Sequence, residues 1–264
     1  MTPLCILTIA GSDSGGGAGI QADQRTIRAV GGHALTAVTA VTAQDTRGVS
    51  AWRPVADSLI AAQVESALRG FPVCAIKTGL LPGPGAVRAV CTALERVPAI
   101  PLVVDPVLSS SSGTRFLSQA GVRILRDRLL PMASLVTPNW PEAAALAGIA
   151  VGTHDEARRA ALLLSGRIGR AVLVKGGHGR GRYCRDCLAT PDGAVSWFEN
   201  PRIATRNTHG TGCVLSAAIA SWLGRGADVE SAIRLARSFL QRALANGSAL
   251  YWGRGRGPAF TGSR

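Results

Sequence analysis

The chain has 264 residues, 47% of them hydrophobic, and carries 29 Lys and Arg against 16 Asp and Glu, a formal net charge of +13. This length and apolar content suit one large α/β domain spanning 1–264, and no stretch approaches the roughly 20 uninterrupted apolar residues of a membrane span. Six cysteines are too sparse for a disulfide scaffold and read as reduced thiols, while a dispersed basic excess with 5% aromatic residues argues against nucleic acid as a partner.

No basic segment precedes the first apolar run, so the expected location is the cytoplasm. Residues 4–10 are apolar and stopped by glycines, the pattern of a buried parallel strand. Further strand-like runs fall at 35–43, 75–78, 101–104, 135–137 and 171–174. Helical spacing lies between them: Ile60, Val64 and Leu68 recur every four residues, and Ala157, Ala160, Ala161, Leu164 and Ile168 follow one helix face. Ser118 suits the N-cap of a helix through Val122, Leu125 and Leu129 that Pro131 closes. This alternation predicts a parallel sheet with helices on both faces. Residues 182–198 flank Pro191-Asp192-Gly193 and read as an antiparallel hairpin. Residues 213–250 read as two long helices parted at Gly224-Arg-Gly226, and 253–264 as a flexible tail.

Open parallel sheets bind ligands beyond the carboxyl ends of their strands, and the informative motifs lie there. Gly11-Ser-Asp-Ser-Gly-Gly-Gly-Ala-Gly19 follows the first strand, allows close backbone approach, and lacks the lysine and hydroxyl residue of a Walker A loop. Asp23 stands at a helix start, where a favourable interaction with the helix dipole would also explain it. Gln44 offers the donors and acceptor that match an aminopyrimidine edge. Asn207-Thr-His-Gly-Thr-Gly-Cys213 precedes an apolar helix, so Gly210 and Gly212 let amides converge as an anion hole.

Cys213 at that helix start should have a lowered thiol pKa, and three readings fit it: a base for a substrate hydroxyl, a nucleophile assisted by His209, or a buried thiol. Asp105, Asn139 and Glu142 place hard oxygen groups at the same edge, as a Mg²⁺–nucleotide site needs. Lys175-Gly-Gly-His178 ends another strand with a cation suited to phosphate. Cys184-x-x-Cys187 has no second pair, which argues against zinc.

In combination, the segments 10–23, Ala43-Gln-Asp-Thr-Arg-Gly-Val49, Thr137-Pro-Asn-Trp-Pro-Glu142, Val174-Lys-Gly-Gly-His178 and Asn207–Cys213 resemble the bacterial hydroxymethylpyrimidine/phosphomethylpyrimidine kinases of thiamine biosynthesis. The resemblance runs in order over essentially the whole chain. It implies a ribokinase-like three-layer αβα sandwich with a mostly parallel sheet and a small antiparallel hairpin, a homodimer, and use of ATP and Mg²⁺ to phosphorylate the hydroxymethyl group and then the monophosphate. By the same resemblance Gly11, Asp23 and Gln44 hold the pyrimidine, Ala18, Thr42, Leu80 and Val107 wall it, and Cys213 is the base. Asp105 and Glu142 would serve the metal, Asn139, Lys175 and Thr208 the nucleotide phosphates, and Gly210, Thr211 and Gly212 the anion hole. Asp45, Leu80 and Leu108 depart from the Asn, Met and Met expected there. Pyridoxal or pyridoxine kinase, a thiol hydrolase and a non-catalytic pyrimidine-binding protein are the rival readings.

Overall fold

Alternation decides which helix layer each strand residue meets. In β1 (Cys5–Asp13), Cys5, Leu7 and Ile9 join one apolar cluster while Ile6 joins another, as a strand covered on both faces must. The computed structural model describes residues 2–262 except 96, 98, 111 and 112. After β1 come α1 (Gly19–Ala29), β2 (His33–Gln44), β3 (Val49–Pro54), α2 (Asp57–Gly70), β4 (Val73–Thr78), α3 (Gly83–Leu94), β5 (Leu102–Val104) and α4 (Gln119–Ile124). The second half holds β6 (Leu135–Val136), α5 (Trp140–Ala147), α6 (His154–Ile168), β7 (Ala171–Val174), β8 (Tyr183–Ala189), β9 (Val195–Pro201), α7 (Thr211–Gly224) and α8 (Val229–Gly247).

One sheet runs β3-β2-β1-β4-β5-β6-β7-β8-β9 among the described residues. The six strands β2, β1, β4, β5, β6 and β7 are mutually parallel, and β3, β8 and β9 pair antiparallel at the two edges. Helices α2 to α6 pack on one face, and α1, α7 and α8 on the other. This is the expected three-layer sandwich, with the expected hairpin extending the central sheet. β3 was not foreseen, because Val49–Pro54 is short and mostly exposed, with little apolar alternation to mark it. No helix among the described residues is long and apolar enough to cross a membrane.

Ser118 caps α4 by accepting from the Gly121 amide at 3.3 Å, as expected. The helix does not continue regularly to Leu129; it widens into a π-helical turn over Leu125–Leu129 and tightens over Leu130–Met132. Pro131 thereby sits in the first turn of the tightened segment, where its missing N–H costs nothing. Within the segment 253–264, expected as a flexible tail, Arg256 donates its amide to the Thr46 carbonyl at 2.7 Å, and Gly257 accepts from the His209 amide at 2.9 Å. Backbone pairing holds this segment, which a composition rich in Gly and Arg does not reveal; residues 263 and 264 lie outside the described residues.

Candidate active site

The apolar row of the sheet that packs on α7 ends in polar side chains. Ile6, Ala75, Val103, Leu135 and Leu173 face α7, and two residues further along the same strands stand Thr8, Lys77, Asp105, Thr137 and Lys175. A period of two carries all five onto one face at the carboxyl edge. There Lys77 Nζ lies 2.7 Å from Asp23 Oδ2, which also accepts from Thr8, and Lys175 Nζ lies 2.6 Å from Asp105 Oδ1. Ser216 of α7 and Thr137 reach Asp105 at 3.4 Å.

Helix α7 is apolar all round and buried, so its N-terminus is driven into this polar row. Its N-cap is Gly210 at φ +75°, with no side-chain cap. The amides of Gly212 and Cys213 find no acceptor among the described residues. Uncapped amides at a helix start are a ready anion site. A Cβ on Gly212 would lie 3.2 Å from Lys175 Nζ and 3.6 Å from Asp105 Oδ2, so the anion hole, the lysine and the carboxylate share one small space. Burial disfavours a charge on Lys175, yet Asp105 and Glu142 outweigh it and raise its pKa.

Cys213 sits where these groups converge, with the Gly19 amide donating to its sulfur. The sequence reading of a lowered thiol pKa is overturned: burial pushes it up to about 11, and Lys77 and the Gly19 amide only partly offset this. A helix N-terminus contributes a fraction of a charge, whereas desolvation acts on the whole thiolate. Lys77 is itself fully buried; burial would discharge it, but Asp23 more than compensates and its pKa is raised.

Asp13 organises the glycine loop. Its carboxylate accepts from the amides of Gly15, Gly17 and Ala18 at 2.8 to 2.9 Å and lies 2.9 Å from His209 Nε2. Burial pushes this carboxyl up, but His209 and the Ala18 and Gly15 amides win and hold it below the usual carboxylate range. His209 Nε2 also lies 2.8 Å from the Gln44 side-chain amide. Asp13 can only accept, so Nε2 carries the proton and donates it to Asp13; the Gln44 amide can share that single N–H only when its oxygen faces the ring. His209 Nε2 is thus held between Asp13 and Gln44.

Asn139 and Glu142 form a reciprocal cap at the start of α5, each side chain accepting from the other's amide at 2.7 to 2.9 Å. Burial raises the Glu142 carboxyl to about 7. Among the described residues no three His, Cys, Asp or Glu could hold a metal alone. Mg²⁺ bound with a nucleotide needs only one or two carboxylates beside the phosphates, and Asp105 and Glu142 fit that requirement.

An open groove of about 1720 Å³ runs past Gln44, Asn139, Glu142, Lys175, Thr208 and Gly210 to Gly212. Gly11, Asp23, Thr42 and Leu80 lie buried, away from its walls. Leu80 rests on Gly11, where a Cβ would meet its Cδ2 at 2.7 Å, and joins Val107, Ala40 and Phe116 in one apolar cluster. The Thr42 hydroxyl donates to the Ser12 carbonyl at 3.0 Å, and the Ala18 amide is held by Asp13. Lys77, Asp13, Thr137 and Ser216 were not singled out from sequence. For Lys77 the signal was present, a lone charge in the otherwise uncharged strand Val73–Thr78.

A family model described as phosphomethylpyrimidine kinase matches residues 13–259. The hydroxymethylpyrimidine/phosphomethylpyrimidine kinase of Escherichia coli is 42% identical over 254 residues, covering 96% of this chain and 95% of that protein. The thiamine biosynthesis bifunctional protein ThiED of Geobacter sulfurreducens is 41% identical over 254 residues, and there the alignment takes in 96% of this chain but 51% of the longer protein. The chain thus spans about half the length of that relative. Among solved structures, an ADP complex of Bacillus subtilis pyridoxal kinase superposes with a TM-score of 0.90 at 31% identity, covering 98% of both chains. Phosphomethylpyrimidine kinase from Clostridium difficile gives 0.79 at 34% identity, covering 91% of this chain and 99% of that one.

Proposed function

Because the chain belongs to the phosphomethylpyrimidine kinase family, we propose that it transfers the terminal phosphoryl group of ATP to 4-amino-5-hydroxymethyl-2-methylpyrimidine and then to its monophosphate, in thiamine biosynthesis. The observation that carries this reading is the uncapped start of α7, where two orphan amides, Lys175 and Asp105 surround one anion-sized space. Charge developing on a phosphoryl group in transfer would be met there by donors already in place.

In this reading Gln44 aligns the aminopyrimidine, Gly11, Ala18, Asp23, Thr42, Leu80 and Val107 form the packed layer behind it, and Cys213 accepts the proton of the attacking hydroxyl. Asn139, Lys175 and Thr208 face the nucleotide phosphates, while Asp105 and Glu142 serve Mg²⁺ directly or through water. A Mg²⁺ ion held there would supply charge neutralisation to the nucleotide phosphates. Lys77 stabilises the thiolate that Cys213 becomes. The single-domain organisation over 1–264, a homodimeric assembly and a cytoplasmic location belong to the same reading.

The test is ADP release with ATP and Mg²⁺, comparing the hydroxymethylpyrimidine, its monophosphate and pyridoxine as acceptors. Preference for the pyrimidines supports the proposal; preference for pyridoxine would move the substrate to vitamin B6; absence of ATP-dependent turnover would leave a binding protein.

A further inference from the structure

The segment Gly253-Arg-Gly-Arg-Gly257 lies docked between the two loops that close the groove. A Cβ on Gly255 would stand 1.8 Å from the Thr46 carbonyl oxygen, and one on Gly257 2.2 Å from Asn207 Oδ1. Only glycine permits these approaches, so the backbone seats itself at alternate residues. On the acceptor side the Arg256 amide donates to Thr46 at 2.7 Å; on the phosphate side Gly257 accepts from the His209 amide and Ala259 donates to the His209 carbonyl. Asn207, at the head of the same loop, donates to Gly247 and Leu250 at 2.7 and 2.8 Å and anchors the turn out of α8.

The residues between those glycines are Arg254 and Arg256, and both line the groove. Neither guanidinium makes a hydrogen bond or ion pair among the described residues, in contrast to Arg237, which is spent on Asp186. The charge of Arg256 also reaches the turn after β7: His178 is held below its usual range by burial, then by Lys175, then by Arg256. An unpaired guanidinium, on a backbone held by the Thr46 carbonyl, therefore lines the groove close enough to the lysine turn for its charge to act on His178. A guanidinium fork matches phosphate oxygens in both charge and geometry.

We propose that Gly253–Gly257 is a docked strap and that its Arg256 is a phosphate-binding residue of the groove. This deepens the kinase reading and rests on it only for the identity of the ligand, whose phosphate could belong to the nucleotide or to the monophosphate acceptor.

The experiment compares wild type, Arg256→Gln, Arg256→Lys and Gly255→Ala. Calorimetry at fixed ionic strength measures binding of ADP, inorganic pyrophosphate and the pyrimidine monophosphate, alongside KM for each substrate and a thermal midpoint. Loss of a charged, bidentate contact should weaken at least one phosphorylated ligand by about tenfold or more in Arg256→Gln, with part recovered in Arg256→Lys. Weakened ADP places the guanidinium on the nucleotide; weakening confined to the monophosphate places it on the acceptor. Gly255→Ala, which pushes the strap off Thr46, should reproduce the same loss. Affinities and KM values all within twofold of wild type in a folded Arg256→Gln protein would overturn the phosphate role. A Gly255→Ala protein that binds like wild type beside a weakened Arg256→Gln would overturn the strap. If the wild type shows no kinase turnover, the kinase reading fails, while the binding arm still decides on Arg256.

Discussion

Asp13 at the end of β1 and His209 in the loop before α7 are 196 positions apart in the chain and meet at 2.9 Å. The pair joins the glycine loop to the anion loop, and through Gln44 it reaches the acceptor side of the groove. Because the Asp13 carboxyl is held below its usual range, its contribution to stability is present above the unfolded value of about 3.9 and disappears as pH falls through the lower folded value. Asp13→Asn should cost about 1–3 kcal/mol near neutral pH, with the deficit shrinking toward pH 3. Urea unfolding at several pH values measures this, and a deficit unchanged from pH 7 to 3 would exclude the ionic contribution.

The raised thiol of Cys213 gives an unusual pH signature for a base. Only a small fraction is thiolate at pH 7.5, so turnover should climb from pH 7 toward 9.5, and Cys213→Ala should remove the climb and lower kcat by about 10²–10⁴. Iodoacetamide should label this thiol slowly at pH 7.5. Rapid labelling at neutral pH would mean that the helix terminus, and not desolvation, governs the group.

Lys77 and Asp23 are both fully buried, so removing one strands the other. Lys77→Met should lower stability by about 3–5 kcal/mol, and the double change Lys77→Met with Asp23→Leu should recover most of it, because apolar replacements of a buried pair are often neutral. Activity should stay lost in both. Thermal melts together with turnover separate the two effects; full turnover in Lys77→Met would remove the lysine from the chemistry.

Gly210 and Gly212 should respond differently to alanine. At Gly210 a Cβ would sit 1.9 Å from the Gly17 carbonyl oxygen on a backbone of φ +75°, so Gly210→Ala should destabilise the fold and part the two loops. At Gly212 the nearest atom is the flexible end of Lys175, so Gly212→Ala should fold and fill the anion hole, with turnover falling by about 10²–10³ at little change in thermal midpoint. Wild-type turnover in Gly212→Ala would show that phosphoryl charge is met elsewhere.

Much of this protein was legible in its residues alone. The apolar run at 4–10, the helix face from Ala157 to Ile168 and the glycine-flanked loop before α7 are local patterns, and local periodicity selects strand, helix or loop wherever the rest of the chain goes. The ordered motifs from Ala10 to Cys213 carried the family. What the tertiary structure decided was the balance of distant contributions. A helix start suggested an acidic thiol at Cys213, but the burial supplied where α1 and β4 pack around it outweighs that terminus. Lys77 carried no sequence signal of a partner; α1 brings Asp23 to it from 54 residues away. The glycines and arginines of 253–257 read as a flexible end because composition reports only chain entropy; their order comes from two loops, at Thr46 and His209, that approach the tail only once the sheet has formed. Desolvation and long-range pairing sum over whatever the fold assembles around a group, and no window of sequence contains that sum.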